Sequence, residues 1–398
     1  MSGPTMFVRP QRIRRGATLT LVFGAVLATG AATGAFSQPG PHPIPRHHRA
    51  QAPAAASHLD TSEIAQAIDD GKVGPQGAAQ LVSRSGDRWS SFFTAQEYEG
   101  FRQELDGRYV GVGLWVRRDP DGRIAVSRVQ SASPAERAGL RVGDWLRAVD
   151  GRDVTGRPVT EVVARLRGVD PGGPDDAPAP RPGSAVRLAL QRDGHDWAIT
   201  VRRAMLTTEP VTVTQPWPEV TEIGVDSFVH GVADQVRTAL AHGDHRQGVL
   251  LDLRGNSGGL VTEAVDVASA FLDGGLVATY DVHGAQRSLY ARGTGDTRTP
   301  LVVLVDGGTM SAAELLTGAL QDRGRAVVVG WRTFGKGSVQ MPSTLPDGSV
   351  AELTVGHYRT PTGREVDGQG IAPDLTVRGR QSAEAEARKV FSGLGTRS

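Results

Sequence analysis

A serine near the end of the chain stands in a setting that suits acyl transfer. Ser311 follows an apolar run, Leu301–Val305, and a glycine-containing turn, and it opens a segment with helical spacing. A helix N-terminus offers N–H groups and a positive dipole, which a tetrahedral oxyanion requires. Ser311 is therefore the candidate nucleophile. The alternative is structural, because Ser311 and Glu314 also fit a capping box that only ends a helix.

A serine nucleophile needs a base, and Lys336 is the candidate. Only three of the 44 basic residues are lysines, and this one lies between Gly335 and Gly337. Burial against apolar neighbours can lower a lysine pKa by up to about 3–5 units, so that the neutral amine can accept a proton. A purely structural lysine is the alternative. Histidine is the usual base, and His357, in a strand-like run, is the rival candidate.

Gln340 follows Lys336 by four residues. If both residues lay on one strand, their side chains would point to the same side. The amide oxygen of Gln340 could then hold the lysine amine in place as the orienting member of a triad. The alternative is an ordinary surface glutamine.

The elements around these residues predict a layered α/β core over residues 207–380. Apolar runs without alternation predict strands buried on both faces, with helices packed on the sheet. Such runs alternate with helical spacing, which indicates βαβ organisation. The predicted elements are strands at Gly224–Phe228, Gly248–Leu253, Leu301–Val305 and Ala326–Val329, and helices at Val232–Leu240, Leu260–Phe271 and from Ser311 onward. Residues 381–398 read as a C-terminal helix and tail.

Residues 107–206 form a separate module. A strand is predicted at Tyr109–Leu114 and another at Ile124–Val129, followed by a one-turn helix, a further strand, a short helix and a hairpin around Asp193-Gly194. The order of these elements and the Ala138–Asp144 stretch resemble a PDZ domain. The resemblance implies that a chain terminus is added as a strand to a sheet edge. Its carboxylate would be held by the loop formed by Tyr109, Val110, Gly111, Val112, Gly113 and Leu114. The Pro/Gly/Asp-rich stretch 170–182 is predicted to be a surface insertion.

Three stretches precede this module. Basic residues and an apolar run, Ala17–Phe36, predict that residues 1–37 are a signal peptide or a membrane anchor. Residues 38–58 are rich in Pro, Ala and His, which predicts a flexible linker. Residues 59–106 predict a small helical segment that packs on another part of the chain.

Length and composition exclude several classes of function for this chain. At 398 residues the chain has room for two or three domains. A net charge of +1 gives no overall field for nucleic acid. The absence of cysteine removes disulfides, thiolate catalysis and Cys-type metal sites. No ligand cluster indicates a cofactor or metal, so none is expected.

Five stretches and Gly330 together resemble the carboxyl-terminal processing peptidases, also called tail-specific proteases. They are Thr309–Glu314, Gly330 with Thr333–Gln340, Thr360–Arg364 with Gly370–Asp374, and Leu251–Gly259, in which Ser257 stands where the family commonly has proline. The resemblance covers about residues 85–380. It implies a crotonase-like α/β peptidase core with an inserted PDZ domain.

The resemblance also implies roles for individual residues. Ser311 would be the nucleophile, Lys336 the general base and Gln340 its support, and backbone N–H groups of Gly258 and Ala312 would form the oxyanion hole. The PDZ-like module predicts protein or peptide substrates with a free, apolar C-terminus, and the N-terminal segment predicts a location outside the cytoplasm. A membrane anchor and a homo-oligomer stay open.

Two other classes compete with this interpretation. Penicillin-recognising acyl-enzymes also pair serine with lysine, but they need S-x-x-K on one helix, and this chain has no such motif. A non-catalytic PDZ scaffold with a peptidase-like core would be expected to lack Ser311, Lys336 or Gln340, and all three are present.

Overall fold

A computed structural model describes residues 61–169, 181–282, 285–377 and 380–395. The predicted signal peptide or anchor (1–37), the predicted linker (38–58) and most of the predicted insertion (170–182) lie outside these ranges. Within them, no helix combines the length and apolarity needed to cross a bilayer.

The helices and strands are numbered in chain order. The helices are α1 (Thr61–Asp69), α2 (Pro75–Arg84), α3 (Ala95–Leu105), α4 (Pro134–Arg137), α5 (Val159–Arg167), α6 (Val232–His242), α7 (Val261–Phe271), α8 (Ala312–Asp322) and α9 (Arg380–Gly395). The strands of the first half are β1 (Ser91–Phe93), β2 (Arg108–Gly111), β3 (Leu114–Arg118), β4 (Ile124–Val129), β5 (Trp145–Val149), β6 (Arg152–Asp153), β7 (Ala185–Arg192), β8 (His195–Arg202) and β9 (Ala204–Thr207). Those of the second half are β10 (Val211–Trp217), β11 (Val220–Val225), β12 (Gly248–Asp252), β13 (Leu276–Val282), β14 (Ala285–Tyr290), β15 (Leu301–Val305), β16 (Val327–Gly330), β17 (Ser338–Thr344), β18 (Val350–Arg359) and β19 (Leu375–Thr376).

The predicted layered core is present. Six strands lie in the order β10-β11-β12-β15-β16-β19, and the pairs from β11 to β19 are parallel. Leu251 and Val303 belong to a core that includes residues of α6, α7 and α8, whereas Leu250 and Val302 pack with Ala387 and other residues of α9. Neighbouring strand residues therefore serve opposite layers. All five residues of β15 are buried, which confirms the prediction of a strand covered on both faces.

A second sheet was not predicted. Its order is β1-β18-β13-β14, and β17 also pairs with β18. The predicted all-helical character of residues 59–106 is wrong at β1, where Ser91 pairs antiparallel with Glu352. The segment docks as expected, because Ile64 and Val82 pack with Leu345 and Leu353 of the second sheet.

The module at 107–206 has its own core of buried residues from Val112 to Val201. Its sheet has the order β3-β4-β5-β7-β8, so β3 lies at an edge. The predicted strand Tyr109–Leu114 is in fact two strands, because the chain turns at Val112 and Gly113 between β2 and β3. Gly113 has a φ of 81°, which glycine adopts easily.

Candidate active site

Ser311 lies where the strand–turn–helix pattern predicts, directly after β15 and its turn and immediately before α8. Its backbone has a φ of 56° and a ψ of −118°, an uncommon conformation for a residue with a side chain. Two buried side chains hold this conformation. Ser311 N–H donates to Glu314 Oε2 at 2.9 Å, and Tyr358 Oη donates to Ser311 O at 3.0 Å. Backbone strain of about 1–3 kcal/mol persists only where surrounding contacts fix it, as they do here.

A second turn is joined to the turn before Ser311. Asp306 Oδ1 accepts hydrogen bonds from the N–H groups of Gly255 and Gly308 at 2.9 and 2.8 Å. Thr309 Oγ1 donates to Leu253 O at 2.8 Å. Met310 N–H donates to the main-chain oxygen of Asn256, which lies in the turn after β12. These bonds bring the turn after β12 against the start of α8.

This contact places Gly258 beside the serine. A Cβ on Gly258 would lie 2.9 Å from Ser311 Cβ and 3.2 Å from Ala312 N, so a side chain would not fit without movement. Gly258 N–H donates to Asn256 Oδ1 at 2.8 Å, and the fully buried Asn256 donates in turn to Val225 O. Ala312 N–H donates to no acceptor among the residues that the structure describes. Of the two predicted oxyanion donors, only Ala312 is thus unengaged in this conformation.

The loop that carries Lys336 is pressed between two parts of the core. Gly337 N–H donates to Asp367 Oδ1 at 3.0 Å, and a Cβ on Gly337 would lie 2.4 Å from Asp367 N. Gly335 has a φ of 91° and lies against Gly370. Close backbone approach therefore requires glycine on each side of the lysine.

Glu314 links this loop to the serine. The side chain is fully buried, and its carboxylate accepts four hydrogen bonds, from Ser311 N–H, Thr333 Oγ1, Gly335 N–H and Lys336 N–H, at 2.5–2.9 Å. Burial raises the pKa of Glu314, and the four donors oppose that rise by stabilising the charged form. The capping-box pattern predicted the bond to Ser311 N–H. It gave no signal that the same carboxylate also binds the lysine loop.

The Lys336 amine lies beside the ring of Trp89. Nζ lies 4.7 Å from the centroid of the Trp89 ring. Burial lowers the pKa of Lys336 to about 8, against the opposing effect of the nearby carboxylates of Asp87, Glu352 and Glu314. A substantial fraction of the amine is therefore neutral at mildly alkaline pH. No hydrogen bond joins the Lys336 and Ser311 side chains in the part of the chain that is described.

The structure corrects the expected geometry of Gln340. Lys336 precedes β17 rather than lying on it, and a bulge at Val339/Gln340 breaks the strand alternation. Gln340 Nε2 donates to Ser338 Oγ at 2.9 Å and to Thr354 Oγ1 at 3.1 Å, and among the described residues the Gln340 amide oxygen accepts no hydrogen bond from the lysine amine. The role of Gln340 stays a prediction.

His357, the rival base, lies on β18 with 56% of its side chain exposed. Its ring nitrogen lies 3.9 Å from Asp367 Oδ2. The neighbouring Tyr358 is the residue of β18 that turns inward and bonds to Ser311. Among the described residues, no group of acidic, histidine or cysteine side chains is arranged to hold a metal ion.

The predicted carboxylate loop of the second module lies between β2 and β3. Tyr109 Oη donates to Gln130 Oε1 at 2.9 Å, and the carbonyls of Val112 and Gly113 accept N–H groups of Ala135 and Gln130. The N–H groups of Val112 and Gly113 find no acceptor within the described ranges. A Cβ on Gly113 would lie 2.3 Å from that of Ser133, so the loop is tightly packed.

Comparisons with known proteins agree with this architecture. The sequence model of peptidase family S41 matches residues 219–377, and a PDZ domain model matches residues 125–173. Carboxyl-terminal-processing peptidase 3, chloroplastic, of Arabidopsis thaliana is 35% identical over 317 residues, which are 74% of this chain and 58% of that protein. A CtpA-like serine protease of Staphylococcus aureus (strain COL) is 31% identical over 325 residues, which are 80% and 61% of the two chains.

This chain belongs to the carboxyl-terminal processing peptidases of family S41. The family assignment from the sequence is confirmed, as is the mixed α/β fold with a PDZ domain. A solved structure of the photosystem II D1 C-terminal processing protease is 26% identical, with a TM-score of 0.50, and the match covers 81% of this chain and 94% of that one. This S41 chain spans about three fifths of the length of the two curated relatives.

Proposed function

We propose that this S41 chain is a serine endopeptidase that cuts protein substrates near their C-terminus. The observation that carries the proposal is the buried Glu314 carboxylate, which binds the backbone N–H groups of both Ser311 and Lys336. One acidic group thereby holds the nucleophile and the base on the same rigid support. No metal or other cofactor is needed for this chemistry.

The proposed reaction proceeds through an acyl-enzyme. The neutral Lys336 amine takes the proton of Ser311 Oγ as the oxygen attacks the scissile carbonyl, and the resulting ammonium protonates the leaving amine. The oxyanion is stabilised by Ala312 N–H and by Gly258 N–H, which would have to be shared with Asn256 Oδ1. Water then hydrolyses the ester with Lys336 again as base.

The amine has to move before it can act. Lys336 Nζ rests against Trp89 and has no hydrogen bond to Ser311, whereas a general base must come within about 2.6–3.2 Å of its proton donor in the reactive complex. We propose that the Gln340 amide oxygen orients the amine in that position.

We propose that the PDZ domain selects the substrate end. A peptide would add to the free edge of β3, and its terminal carboxylate would bind at the loop 109–114. Support comes from the N–H groups of Val112 and Gly113, which are left without acceptors beside this edge.

We propose that the protein works outside the cytoplasm, carried there by residues 1–37 as a cleaved signal or a retained anchor. The support is the basic flank and apolar run of the sequence. Fractionation of the native host cell tests this, and cytoplasmic protein with Ala17–Phe36 intact would contradict it.

The proposed function is tested by digesting an unstructured protein that ends in apolar residues. Purified full-length chain should cleave it, a metal chelator should not inhibit, and Ser311→Ala should be inactive while keeping the wild-type melting temperature. Cleavage by Ser311→Ala, or loss of activity with chelator, would refute the mechanism. Tight binding without cleavage by the wild type would favour the PDZ scaffold instead.

A further inference from the structure

The turn between α2 and β1 lies directly beside the Lys336 amine. Asp87 shapes it by accepting hydrogen bonds from the N–H groups of Trp89 at 3.2 Å and Ser90 at 3.0 Å. Ser90 Oγ accepts a hydrogen bond from Thr354 N–H at 3.0 Å, and Thr61 Oγ1 of α1 donates to Thr354 O at 2.6 Å. The N-terminal segment is thus bonded to β18 at the residue that also binds Gln340.

Apolar packing fixes the same contact. Ile64 and Ile68 of α1 and Val82 of α2 share a buried cluster with Leu345 and Leu353 of the second sheet. The position of the turn is therefore determined by a core rather than by surface contacts alone. This makes the segment part of the peptidase unit.

Trp89 is the residue of this turn that reaches the base. Its ring centroid lies 4.7 Å from Lys336 Nζ and 6.0 Å from the ring of Phe334, which it meets edge to face. The Arg88 guanidinium lies 4.6 Å from the same centroid. Trp89 is only partly buried, so one part of the indole meets solvent while another covers the amine.

We propose that Trp89 is a positioning residue of the peptidase, whose indole ring shields the Lys336 amine from water and holds it ready to accept the proton of Ser311 Oγ. The inference rests on the proposed function, because it assigns Trp89 a role through the proposed base. It also gives the N-terminal segment a task in catalysis that the sequence did not indicate.

Two effects of the ring oppose each other, and their sizes decide the outcome. Attraction of an ammonium by an indole face favours the charged amine, and where water has access it raises a lysine pKa by less than about one unit. Exclusion of water disfavours the charged amine, and complete burial shifts a lysine pKa by up to about 3–5 units. Desolvation is the larger of the two effects at Lys336, because the net result is a lowered pKa. Removing the Trp89 ring should therefore raise the pKa of Lys336.

Four charged groups face the amine, and each has to be considered. Asp87 and Arg88 belong to the turn, Glu352 to β18 and Glu314 to α8. The three carboxylates raise the pKa of Lys336, and Arg88 lowers it. Glu352 is itself half-buried, and burial raises the pKa of Glu352 to about 7, against the effect of Lys336. Glu352→Gln should therefore move the pKa of Lys336 downward, opposite to a Trp89 truncation.

The test measures the lysine directly and through catalysis. Competitive labelling with an amine reagent across pH, read by mass spectrometry, reports the pKa of Lys336. Lys72 and Lys389 serve as internal references, since their side chains are 71% and 73% exposed. The pH dependence of kcat/KM is measured on the same proteins: wild type, Trp89→Ala, Trp89→Leu, Glu352→Gln and Trp145→Ala. Trp145 is a matched control, because it stacks with Arg123 in the PDZ domain, away from the lysine.

Trp89→Ala should raise the Lys336 pKa by about one unit or more, with about a tenfold loss of kcat/KM at pH 7 that is recovered at alkaline pH. Trp89→Leu, which keeps an apolar wall without an indole face, should stay at or below the wild-type pKa. Trp145→Ala should change neither quantity. An unchanged labelling pKa in Trp89→Ala, or a loss of kcat/KM that is equal at every pH, would overturn the proposal. The labelling result stands apart from the proposed mechanism: a shifted pKa without any effect on kcat/KM would contradict Lys336 as the base and leave the wall itself established.

Discussion

Among single residues, Lys336 matters most, because the proposed catalysis requires a lysine that gives up its proton. Lys336→Arg keeps a positive charge, but guanidinium does not deprotonate near neutral pH, so it should be as damaging as Lys336→Ala. General-base assistance is worth about 10²–10⁴-fold, and kcat should fall at least that far in either variant. The wild-type kcat/KM should rise with pH through a midpoint near pH 8 and level off above it, because only the neutral amine acts and burial lowers the pKa of Lys336 to about 8.

The measurement is the pH–rate profile of the wild type beside the activity of both variants, with circular dichroism to show that they fold. An arginine variant that keeps most of its activity would remove Lys336 as the base. His357 would then need testing, although its exposed position makes it a poor candidate.

Glu314 offers a second test at this scale. Glu314→Gln places an NH₂ group opposite two of the four donors that bind the carboxylate. Two hydrogen bonds are therefore lost, either those from Ser311 N–H and Lys336 N–H or those from Thr333 Oγ1 and Gly335 N–H. Each buried group left unsatisfied costs about 1–3 kcal/mol, and the melting temperature should fall. Removing the negative charge should also move the rising limb of the pH–rate profile to lower pH, because Glu314 raises the pKa of Lys336.

A merely structural glutamate would lower the melting temperature without moving that limb. Glu97→Gln is the matched control, since Glu97 caps α3 in the same pattern on the surface. It should change neither kcat nor the profile.

At the scale of elements, the sequence predicted the parts whose patterns are local. The run Leu301–Val305, the helix after Ser311 and the hairpin around Asp193-Gly194 are all present, because apolar period and turn residues determine them. The second sheet was missed. It is assembled from β1 and two local hairpins, β13–β14 and β17–β18, and the pairings that join these three parts, β1 with β18 and β13 with β18, connect residues far apart in the chain.

The same reason explains what was missed in the site. Ser311 and Lys336 stand in recognisable motifs, but the bulge that turns Gln340 toward Thr354 depends on pairing with β18. Trp89 and Tyr358 reach the site through sheet pairing and docking, and neither lies in a pattern that marks it. Asn256, which binds Gly258 N–H, belongs to a matched motif but carried no predicted role.

The glycines of the lysine loop give a prediction at this scale. Gly337→Ala adds a Cβ only 2.4 Å from Asp367 N, so the loop has to move. Overpacking of this kind costs about 1–3 kcal/mol, and the displaced amine should lower kcat about tenfold or more. Gly100→Ala is the control, because that position in α3 has no neighbour within 4 Å. Equal activity of the two variants would show that the loop position does not matter.

At the scale of the whole molecule, the PDZ domain and the peptidase core are predicted to act together on one substrate. Peptides with a free apolar C-terminus should have a lower KM than the same peptides with an amidated or an acidic end. Gly113→Ala should remove much of this difference, since the new Cβ would lie 2.3 Å from Ser133 Cβ and distort the carboxylate loop. Steady-state kinetics with matched peptides provide the measurement. Equal KM values for all three ends would contradict recognition of the terminus.

Activation of the Ser311 nucleophile by Lys336 is the chemical step on which the proposed function depends. Covalent labelling with a serine-directed fluorophosphonate, mapped by peptide mass spectrometry, tests it most directly. We expect an adduct on Ser311 whose rate of formation rises with pH through a midpoint near pH 8. In Lys336→Arg this rate should fall by at least about 10²-fold. An adduct on another residue, or labelling of Ser311 in Lys336→Arg at the wild-type rate, would contradict it.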